Sequence, residues 1–381
     1  MTEWLTAGEA QARLGVRPQT LYAYVSRGRI EARPDAGDPR KSLYRAEDVA
    51  RLAVRKARGR KPALVAQDAI AWGEPVLASA ITTVRHGRLY YRGRDAETLA
   101  VGESLESIAR LLRGGDGVSL KRRLKAPRAD GVTGRARAFA ALAARAGADA
   151  PARGRAPIAL AAEAAGLLDA FADAVAGATD GGLIHQRLAA AWSQDEAGAE
   201  LIRRALVLLA DHELNASTFA ARVTASTGAS LAASALAGLA ALSGPLHGGM
   251  AARVEAFVRE AERIGAEAAV AGRLAQGLAI PGFGHPLYPG GDPRARALLT
   301  AFEPPPLFEA VRRRAEAATG AVANVDYALT ALAAVRNLPE DAAFLLFATA
   351  RCAGWLAHAL EQIQTGQLIR PRARYIGPVL D

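Results

Sequence analysis

Three histidines of this 381-residue chain lie in segments that regular structure alone does not explain. His212 stands between two acids in DHELN, His247 lies among glycines and a proline in GPLHGGM, and His285 follows PGFG. Asp326 begins the segment DYALTAL, and Arg351 interrupts the apolar stretch FATARCAGW. Glycine and proline beside a histidine indicate backbone that bends sharply or comes close to a ligand.

This set of side chains suits acid–base chemistry on an anionic carbonyl compound. Histidine and aspartate exchange protons with reacting atoms, and arginine binds a carboxylate through two parallel hydrogen bonds. Each residue also has a simpler interpretation, since a lone histidine near a helix end is more often a cap or a buried polar group, and Asp326 could cap the helix that it begins. We assign no chemistry to the other histidines or to the single cysteine: His86, His185, His358 and Cys352.

The motifs do not favour other catalytic classes. The three singled-out histidines are 35 and 38 residues apart, and the sequence contains no HExxH, no CxxC and no paired-histidine helix, so we predict no metal site. The sequence also lacks the phosphate-binding pattern GxxxxGK[ST] and the nucleophile elbow GxSxG.

The elements that must hold these residues are mainly helices. Alanine, leucine and arginine dominate the chain, and runs of valine, isoleucine and threonine are scarce. Within residues 63–381, only 78–100 clearly resemble strands, with AITTV and RLYYRG on either side of a turn at His86–Gly87. Residues 115–157 read as mostly loop. The apolar stretch 229–244 is short and rich in small residues, so we expect a packed internal helix there and no membrane span.

Composition points to a cytoplasmic protein. A single cysteine fits a reducing compartment. The N-terminal segment lacks the basic and apolar regions of a signal peptide. We therefore expect cytoplasmic localisation.

Residues 1–62 are basic, with 14 Lys and Arg against 7 Asp and Glu, whereas the rest of the chain is nearly balanced. The segment LTAGEAQARLGVRPQTLYAYVSRG predicts two short helices about a tight turn, with Thr6 and Glu9 as a capping box. With SLYRAEDVARL downstream, it closely resembles MerR- and excisionase-type winged helix–turn–helix domains, which we place at residues 1–58. Such a domain would contact DNA through its second helix and wing: Arg17, Gln19, Thr20, Tyr22, Arg27, Arg40 and Lys41. A protein-interaction module with solvated arginines is the alternative.

Five segments farther along occur in the order and approximate spacing of citrate synthase: DHELNASTFAARVTAST, SGPLHGGM, PGFGHPLYPGGDPRA, NVDYA, and FATARCAGWLAHALEQ with IRPRARYIGP. ITTVRHGRLYYRGRDAETLA resembles the N-terminal signature of the same family. The resemblance covers residues 78–378, with 115–200 abbreviated. It implies a mainly α fold with a linker, a discontinuous large domain and a small domain: 59–77, 78–248 with 342–381, and 249–341.

The resemblance also implies roles for individual residues. Asp326 would remove a proton from the acetyl methyl group while His247 donates a hydrogen bond to the thioester oxygen of acetyl-CoA. His285 would polarise the ketone of oxaloacetate. Five further side chains would bind the substrates, the last from the partner subunit of a homodimer: His212, Arg294, Phe347, Arg351 and Arg370. Backbone of the PGFG segment would wrap the CoA adenine: Pro281, Gly282, Phe283 and Gly284.

The family implied by these motifs uses oxaloacetate and an acyl-CoA as substrates, with no metal and no cofactor. The motifs leave the acyl group open between acetyl and propionyl, the latter giving 2-methylcitrate, and they fit citryl-CoA cleavage as well. Pro286 stands where many members have arginine. A function of another class also fits, namely a transcription regulator whose synthase-like body senses CoA thioesters or dicarboxylates.

Overall fold

The computed structural model of this protein describes residues 3–26, 28–35, 37–38, 41–57, 77–115, 134–177, 181–373 and 377. The chain forms two compact units, Met1–Ala78 with Arg372–Asp381 and Ser79–Pro371. We name the first the N-terminal unit and the second the body.

The N-terminal unit combines short helices with a small antiparallel sheet. Its described elements are β1 Trp4–Leu5, α1 Ala7–Leu14, α2 Pro18–Ser26, β2 Ala32–Pro34, β3 Ser42–Arg45 and α3 Ala46–Ala57. The strand order is β1-β3-β2, and Ala32 pairs with Tyr44 in this sheet. The buried side chains form one core: Leu5, Ala10, Leu14, Leu21, Ile30, Tyr44, Ala46 and Val49.

Local sequence explains where α1 begins and ends. The Glu9 carboxylate accepts from the Thr6 backbone N–H at 2.7 Å, and the Thr6 hydroxyl accepts from the Glu9 N–H at 3.4 Å, so the predicted capping box is present. Gly15 ends the helix with a φ of 57°, a left-handed conformation that glycine adopts without strain. Pro18 then begins α2, and the predicted helix–turn–helix is confirmed.

The body begins with a small antiparallel sheet. Its strands are β4 Thr82–Arg85, β5 Arg88–Tyr91 and β6 Arg94–Asp95. Arg85 pairs with Arg88 across a turn in which His86 and Gly87 both have positive φ. The predicted hairpin at His86–Gly87 is therefore confirmed.

Helices make up most of the rest of the body, as the composition predicts. The described helices are α4 Ala96–Leu99, α5 Leu105–Leu112, α6 Gly134–Ala148, α7 Pro157–Ala176, α8 Ile184–Ala191, α9 Glu196–Leu209, α10 Ala216–Ser226, α11 Leu231–Leu242, α12 Met250–Ile264, α13 Ala266–Ala275, α14 Pro293–Leu299, α15 Pro306–Thr319, α16 Val325–Val335 and α17 Ala342–Thr365. The mainly α fold is confirmed, and α11 is the internal helix expected within 229–244.

The loop-rich expectation for residues 115–157 is wrong for α6. Ala138 and Leu142 of this helix are buried. Small residues here serve close helix packing, and alanine is the strongest helix former. Residues 116–133 lie outside the described part of the chain.

Helix α17 is the central helix of the body. Trp355, near its middle, is fully buried. Helix α11 packs against this indole through Gly238, where a Cβ atom would lie 2.6 Å from the ring. Among the described residues, α17 is the one helix long and apolar enough to cross a membrane, and its apolar window is wholly buried within the body. Its apolar length therefore builds the core.

A second hydrophobic cluster lies apart from the one around α17. It joins α12, α13, α15 and α16 through side chains such as Val254, Val270, Val311 and Tyr327. These elements fall inside 249–341, the range predicted for the small domain, whose boundaries stay a prediction.

Candidate active site

Residues predicted from five distant segments share one site in the body. The ring centroids of His212 and His285 are 5.2 Å apart, and those of His247 and Phe347 are 6.0 Å apart. The charges of two buried arginines act on both His212 and Asp326. Seven of the predicted residues belong to this cluster: His212, His247, His285, Arg294, Asp326, Phe347 and Arg351.

Capping side chains set the helix ends next to these groups. The side-chain oxygen Oδ1 of Asn215 accepts from the backbone N–H groups of Ser217 and Thr218 and so caps the start of α10, just after the His212 loop. Asn324 does the same for α16, accepting from the Asp326 N–H at 3.1 Å. Asp326 is therefore not the cap of its helix, and this simpler interpretation is wrong because the asparagine two residues earlier takes that role.

The glycines of GPLHGGM pack backbone against backbone between α11 and α12. A Cβ atom on Gly248 would lie 2.8 Å from the Leu242 carbonyl oxygen, and one on Gly249 would lie 2.8 Å from the Gly244 oxygen. Such contacts exclude any larger residue. The tight turn holds His247 half-buried at the site.

His212 and His285 meet around a tyrosine. The Tyr288 hydroxyl lies 2.9 Å from His212 Nε2, and the Tyr288 ring centroid is 4.9 Å from that of His285. The Leu287 N–H donates to His285 Nδ1 at 3.1 Å. Because that nitrogen accepts a hydrogen bond, neutral His285 carries its proton on Nε2 and can donate it to a carbonyl oxygen.

His247 is held by a serine that an indole also contacts. His247 Nε2 lies 2.9 Å from Ser217 Oγ and 3.3 Å from Asn215 Oδ1. The Trp355 N–H donates to the same serine oxygen at 3.1 Å. An indole N–H only donates, so the serine keeps its own proton for His247 or Asn215.

The two buried arginines differ in their partners. Arg294 forms a double hydrogen bond to the Asp292 carboxylate, at 2.9 and 2.8 Å. Arg351 donates through Nε to the Leu209 carbonyl at 3.0 Å, its Cζ lies 4.8 Å above the Phe347 ring, and its Nη2 has no hydrogen-bond partner among the described residues. Arg351 therefore has donors that a carboxylate could use.

Burial shapes the charges of this site. It raises the pKa of Asp326 to about 7, although Arg294 and Arg351 oppose that rise. Burial also lowers the pKa of His247 to about 3 and that of His285 to about 4, with neighbouring arginine charge adding to the effect. The pKa of His212 falls well below its ordinary value for the same reasons. At neutral pH the three histidines are therefore uncharged, and Asp326 is close to half ionised.

The residues predicted to bind CoA and to reach a partner subunit lie outside this cluster. Phe283 of the PGFG segment packs on Tyr327 with centroids 4.9 Å apart, and Gly282 has a φ of 84° in this turn. Arg370 is exposed beyond the end of α17, and its contribution to a partner's site stays a prediction.

Four of the predicted DNA contacts are exposed on or before α2, and these are Arg17, Gln19, Thr20 and Tyr22. Lys41 is exposed and pairs with Asp38 at 3.2 Å. Arg27 and Arg40 lie outside the described residues.

Sequence reasoning missed four polar residues that hold the site: Asn215, Ser217, Tyr288 and Asp292. All four lie inside motifs that we quoted for their histidine or arginine. Asp292 was detectable, since Asp before Pro is typical of a helix start. The sequence also gave no sign that His358 pairs with Asp211, at 3.1 Å, because these residues are 147 positions apart. Among the side chains that the structure describes, no group of three His, Cys, Asp or Glu residues could hold a metal ion.

Comparison with known families gives two matches. The family model for the citrate synthase C-terminal domain matches residues 70–372, and a helix–turn–helix domain model matches residues 4–56.

Individual relatives agree with the longer match. Citrate synthase 2 of Bacillus subtilis is 38% identical over 190 residues, which are 47% of this chain and 51% of that protein. The 2-methylcitrate synthase 2 of Corynebacterium glutamicum is 33% identical over 185 residues, 46% of this chain and 48% of that protein. The chain thus spans about half the length of the curated relatives that it matches.

A solved structure extends the likeness to the fold. The citrate synthase of Thermotoga maritima superimposes with a TM-score of 0.67 at 26% identity, covering 81% of this chain and 95% of the other. Because the family match takes in most of the sequence and this structure shares the fold, the chain belongs to the citrate synthase family.

Proposed function

We propose that the body condenses oxaloacetate with acetyl-CoA to give citrate and CoA. The observation that carries the proposal is the Asp326 carboxylate. It is partly buried with a raised pKa, and its Oδ1 has no hydrogen-bond partner within the described residues. A group poised near neutral pH beside hydrogen-bond donors suits proton abstraction next to a carbonyl.

The first step would form an enol. The α-proton of a thioester is very weakly acidic, so Asp326 could take it only while the developing oxygen charge is stabilised. His247 would donate a ring N–H to that oxygen. When Ser217 donates its hydroxyl proton to Nε2, the ring proton lies on Nδ1, which faces away from the serine.

The second step would form the carbon–carbon bond. The enol carbon would attack the ketone carbon of oxaloacetate while the enol O–H returns its proton to His247. The ketone oxygen would take up the Nε2 proton of His285, which solvent restores as Asp326 releases the proton that it took. Arg294, Arg351 and His212 would hold the carboxylates of oxaloacetate. Water would then hydrolyse the citryl thioester to citrate and free CoA thiol. None of these steps requires a metal or a cofactor.

The choice of acyl group is a second part of the proposal. Acetyl-CoA is the leading donor, with propionyl-CoA as the alternative because a relative is a 2-methylcitrate synthase. The two differ by one methylene, which pockets discriminate by about 1–3 kcal/mol. Competition between the two thioesters for one sample of enzyme measures this preference directly.

Release of CoA thiol tests the synthase proposal. Wild-type protein should release thiol from acetyl-CoA only when oxaloacetate is present. Asp326→Asn, which keeps the shape and removes the base, should lose turnover by about a hundred- to ten-thousand-fold. A variant with wild-type turnover, or a folded wild-type protein inactive with both thioesters, would overturn the proposal.

We propose that residues 249–341 act as a small domain that closes over the substrates. His285 and Asp326 lie in this range, whereas His212 and Arg351 lie outside it. Closure would exclude water from the enol. Homodimer formation would add Arg370 of each chain to the other's site.

The N-terminal unit supports a second activity, binding of DNA. Helix α2 exposes polar side chains along the surface that a helix–turn–helix places in the major groove. Arg17, just before this helix, has no ion pair among the described residues, so its charge is available for a phosphate. Two such units on a homodimer would fit paired half-sites.

Fluorescence anisotropy with a labelled duplex of mixed sequence tests DNA binding. Arg17→Ala should weaken binding and reduce the salt slope by about one. Arg51→Ala is the matched control, because Arg51 lies on α3 and is paired with Asp48 at 2.6 Å. Equal affinity of all three proteins would contradict this role. A regulator without catalysis would show no turnover but DNA affinity that changes with oxaloacetate or acetyl-CoA.

A further inference from the structure

A buried network of hydrogen-bonded polar side chains adjoins the candidate active site. His358 Nε2 lies 3.1 Å from Asp211 Oδ2, and Arg222 Nη1 lies 3.1 Å from His358 Nδ1. The same arginine atom donates to Glu361 Oε2 at 2.5 Å, and its Nε donates to Gln362 at 3.1 Å. Asp211, Arg222 and His358 are all at most 1% exposed.

The arginine sets which nitrogen of His358 carries the proton. A guanidinium group only donates hydrogen bonds, so His358 Nδ1 must accept and cannot hold a proton. His358 is therefore neutral with its proton on Nε2, where it donates to Asp211. Arg222 pairs with Glu361, and the charges of Asp211 and Arg351 attract each other across the site without a direct hydrogen bond.

The charge of Asp211 acts on Arg351, the arginine proposed to bind substrate. Burial opposes its negative charge, but His358 and Arg351 together hold the pKa of Asp211 below its ordinary value. Burial lowers the pKa of Arg351 to about 10, and the Asp211 carboxylate is the first of the charges that oppose this fall. Loss of the His358 hydrogen bond would raise the pKa of Asp211 and so weaken the negative charge that acts on Arg351.

The loop that carries His212 is held at both of its acidic residues. Asp211 receives the His358 hydrogen bond on one side of His212, and Glu213 accepts from the Val84 N–H at 2.5 Å on the other. Gly354 gives the aspartate its space, since a Cβ there would overlap Asp211 Oδ1 and lie 2.6 Å from the Ala210 oxygen.

We infer that His358, oriented by Arg222, is a positioning residue that acts through Asp211 on Arg351 and His212, the side chains proposed to bind oxaloacetate. This inference rests on the synthase activity proposed above. It assigns His358 to the part of the site that binds the dicarboxylate. Loss of the His358 side chain should therefore raise KM for oxaloacetate and leave KM for acetyl-CoA unchanged.

Two polar replacements separate the two hydrogen bonds of His358. In His358→Gln the amide nitrogen can take the place of Nε2 and donate to Asp211. In His358→Asn the shorter side chain can still accept from Arg222 but does not reach the aspartate. We expect KM for oxaloacetate to rise about ten-fold in the asparagine variant and less than about three-fold in the glutamine variant.

The comparison of substrates distinguishes positioning from general damage. KM for acetyl-CoA and kcat should stay within about two-fold of wild type in both variants. His185→Asn is the matched control, a buried histidine outside the chain of contacts, and should change neither KM. Equal KM values for oxaloacetate in the asparagine variant and wild type would overturn the inference, as would a parallel rise for acetyl-CoA.

Nitrogen-15 spectra of the six histidines test the inference without turnover. Wild-type His358 should show the Nε2–H tautomer, and the His212 signals should move in His358→Asn but not in His358→Gln. The opposite tautomer, or unmoved His212 signals, would refute positioning even in an active synthase. Wild-type protein without turnover would refute the proposed function, and these spectra would still decide the role of His358.

Discussion

Asp326→Asn should stabilise the protein while it removes turnover. Burial raises the pKa of Asp326 from its ordinary 3.8 to about 7. A group with a higher pKa in the folded state contributes stability that is fully present below the unfolded pKa and is lost as the pH rises through the folded pKa. For Asp326 that window runs from about pH 4 to about pH 7. Asparagine has a similar shape and no charge to bury, so the variant escapes this loss.

The magnitude follows from the pKa. A rise from 3.8 to about 7 corresponds to roughly 4 kcal/mol. Asp326 is only partly buried, so water screens part of this cost and we expect the variant to gain about 2 kcal/mol at pH 8. Near pH 4 the difference should be small, because the wild-type carboxyl is then protonated in the folded state and only about half ionised in the unfolded chain.

Urea unfolding followed by circular dichroism measures this difference at about pH 4 and about pH 8. Glu340→Gln is the control, since this carboxylate is exposed just before α17 and its replacement should give no pH-dependent gain. The reasoning fails if Asp326→Asn is less stable than wild type at the higher pH. It also fails if the difference between the two proteins is the same at both pH values.

Three further outcomes are expected. The kcat/KM for acetyl-CoA should fall about ten-fold per pH unit below about pH 7, because Asp326 of the substrate-free enzyme becomes protonated there. A pH profile without this fall would exclude Asp326 as the base. Ser217→Ala should lower kcat about ten- to a hundred-fold, because His247, the proposed enol-stabilising residue, and Trp355 both lose a partner, and unchanged kinetics would show that the serine is dispensable. Gly238→Ala should destabilise the body by about 1–3 kcal/mol, since its Cβ would meet the indole at 2.6 Å. Gly272→Ala, where a Cβ meets nothing within 4 Å, should be neutral or slightly stabilising by thermal unfolding, and equal loss in both would contradict the packing argument.

Signals that act within a few residues were readable from the sequence. Thr6 and Glu9 form their capping box because both partners lie in one turn of helix. The turn at His86–Gly87 follows from the residues beside it. The helix–turn–helix and the family resemblance depend on the order of short motifs, and both are confirmed. Secondary structure was harder to predict in alanine-rich segments. Helix α6 was missed because small residues suit both loops and closely packed helices.

Only the tertiary structure decided what these motifs do together. His212, His285, Asp326 and Arg351 were each recognisable by type, but their approach depends on helices far apart in the chain. The raised pKa of Asp326 comes from burial and from arginine charges, which no local pattern encodes. The pairing of His358 with Asp211 likewise spans 147 residues. Sequence determines local geometry through neighbouring atoms, whereas protonation and hydrogen-bond polarity depend on groups that only folding brings within a few ångströms.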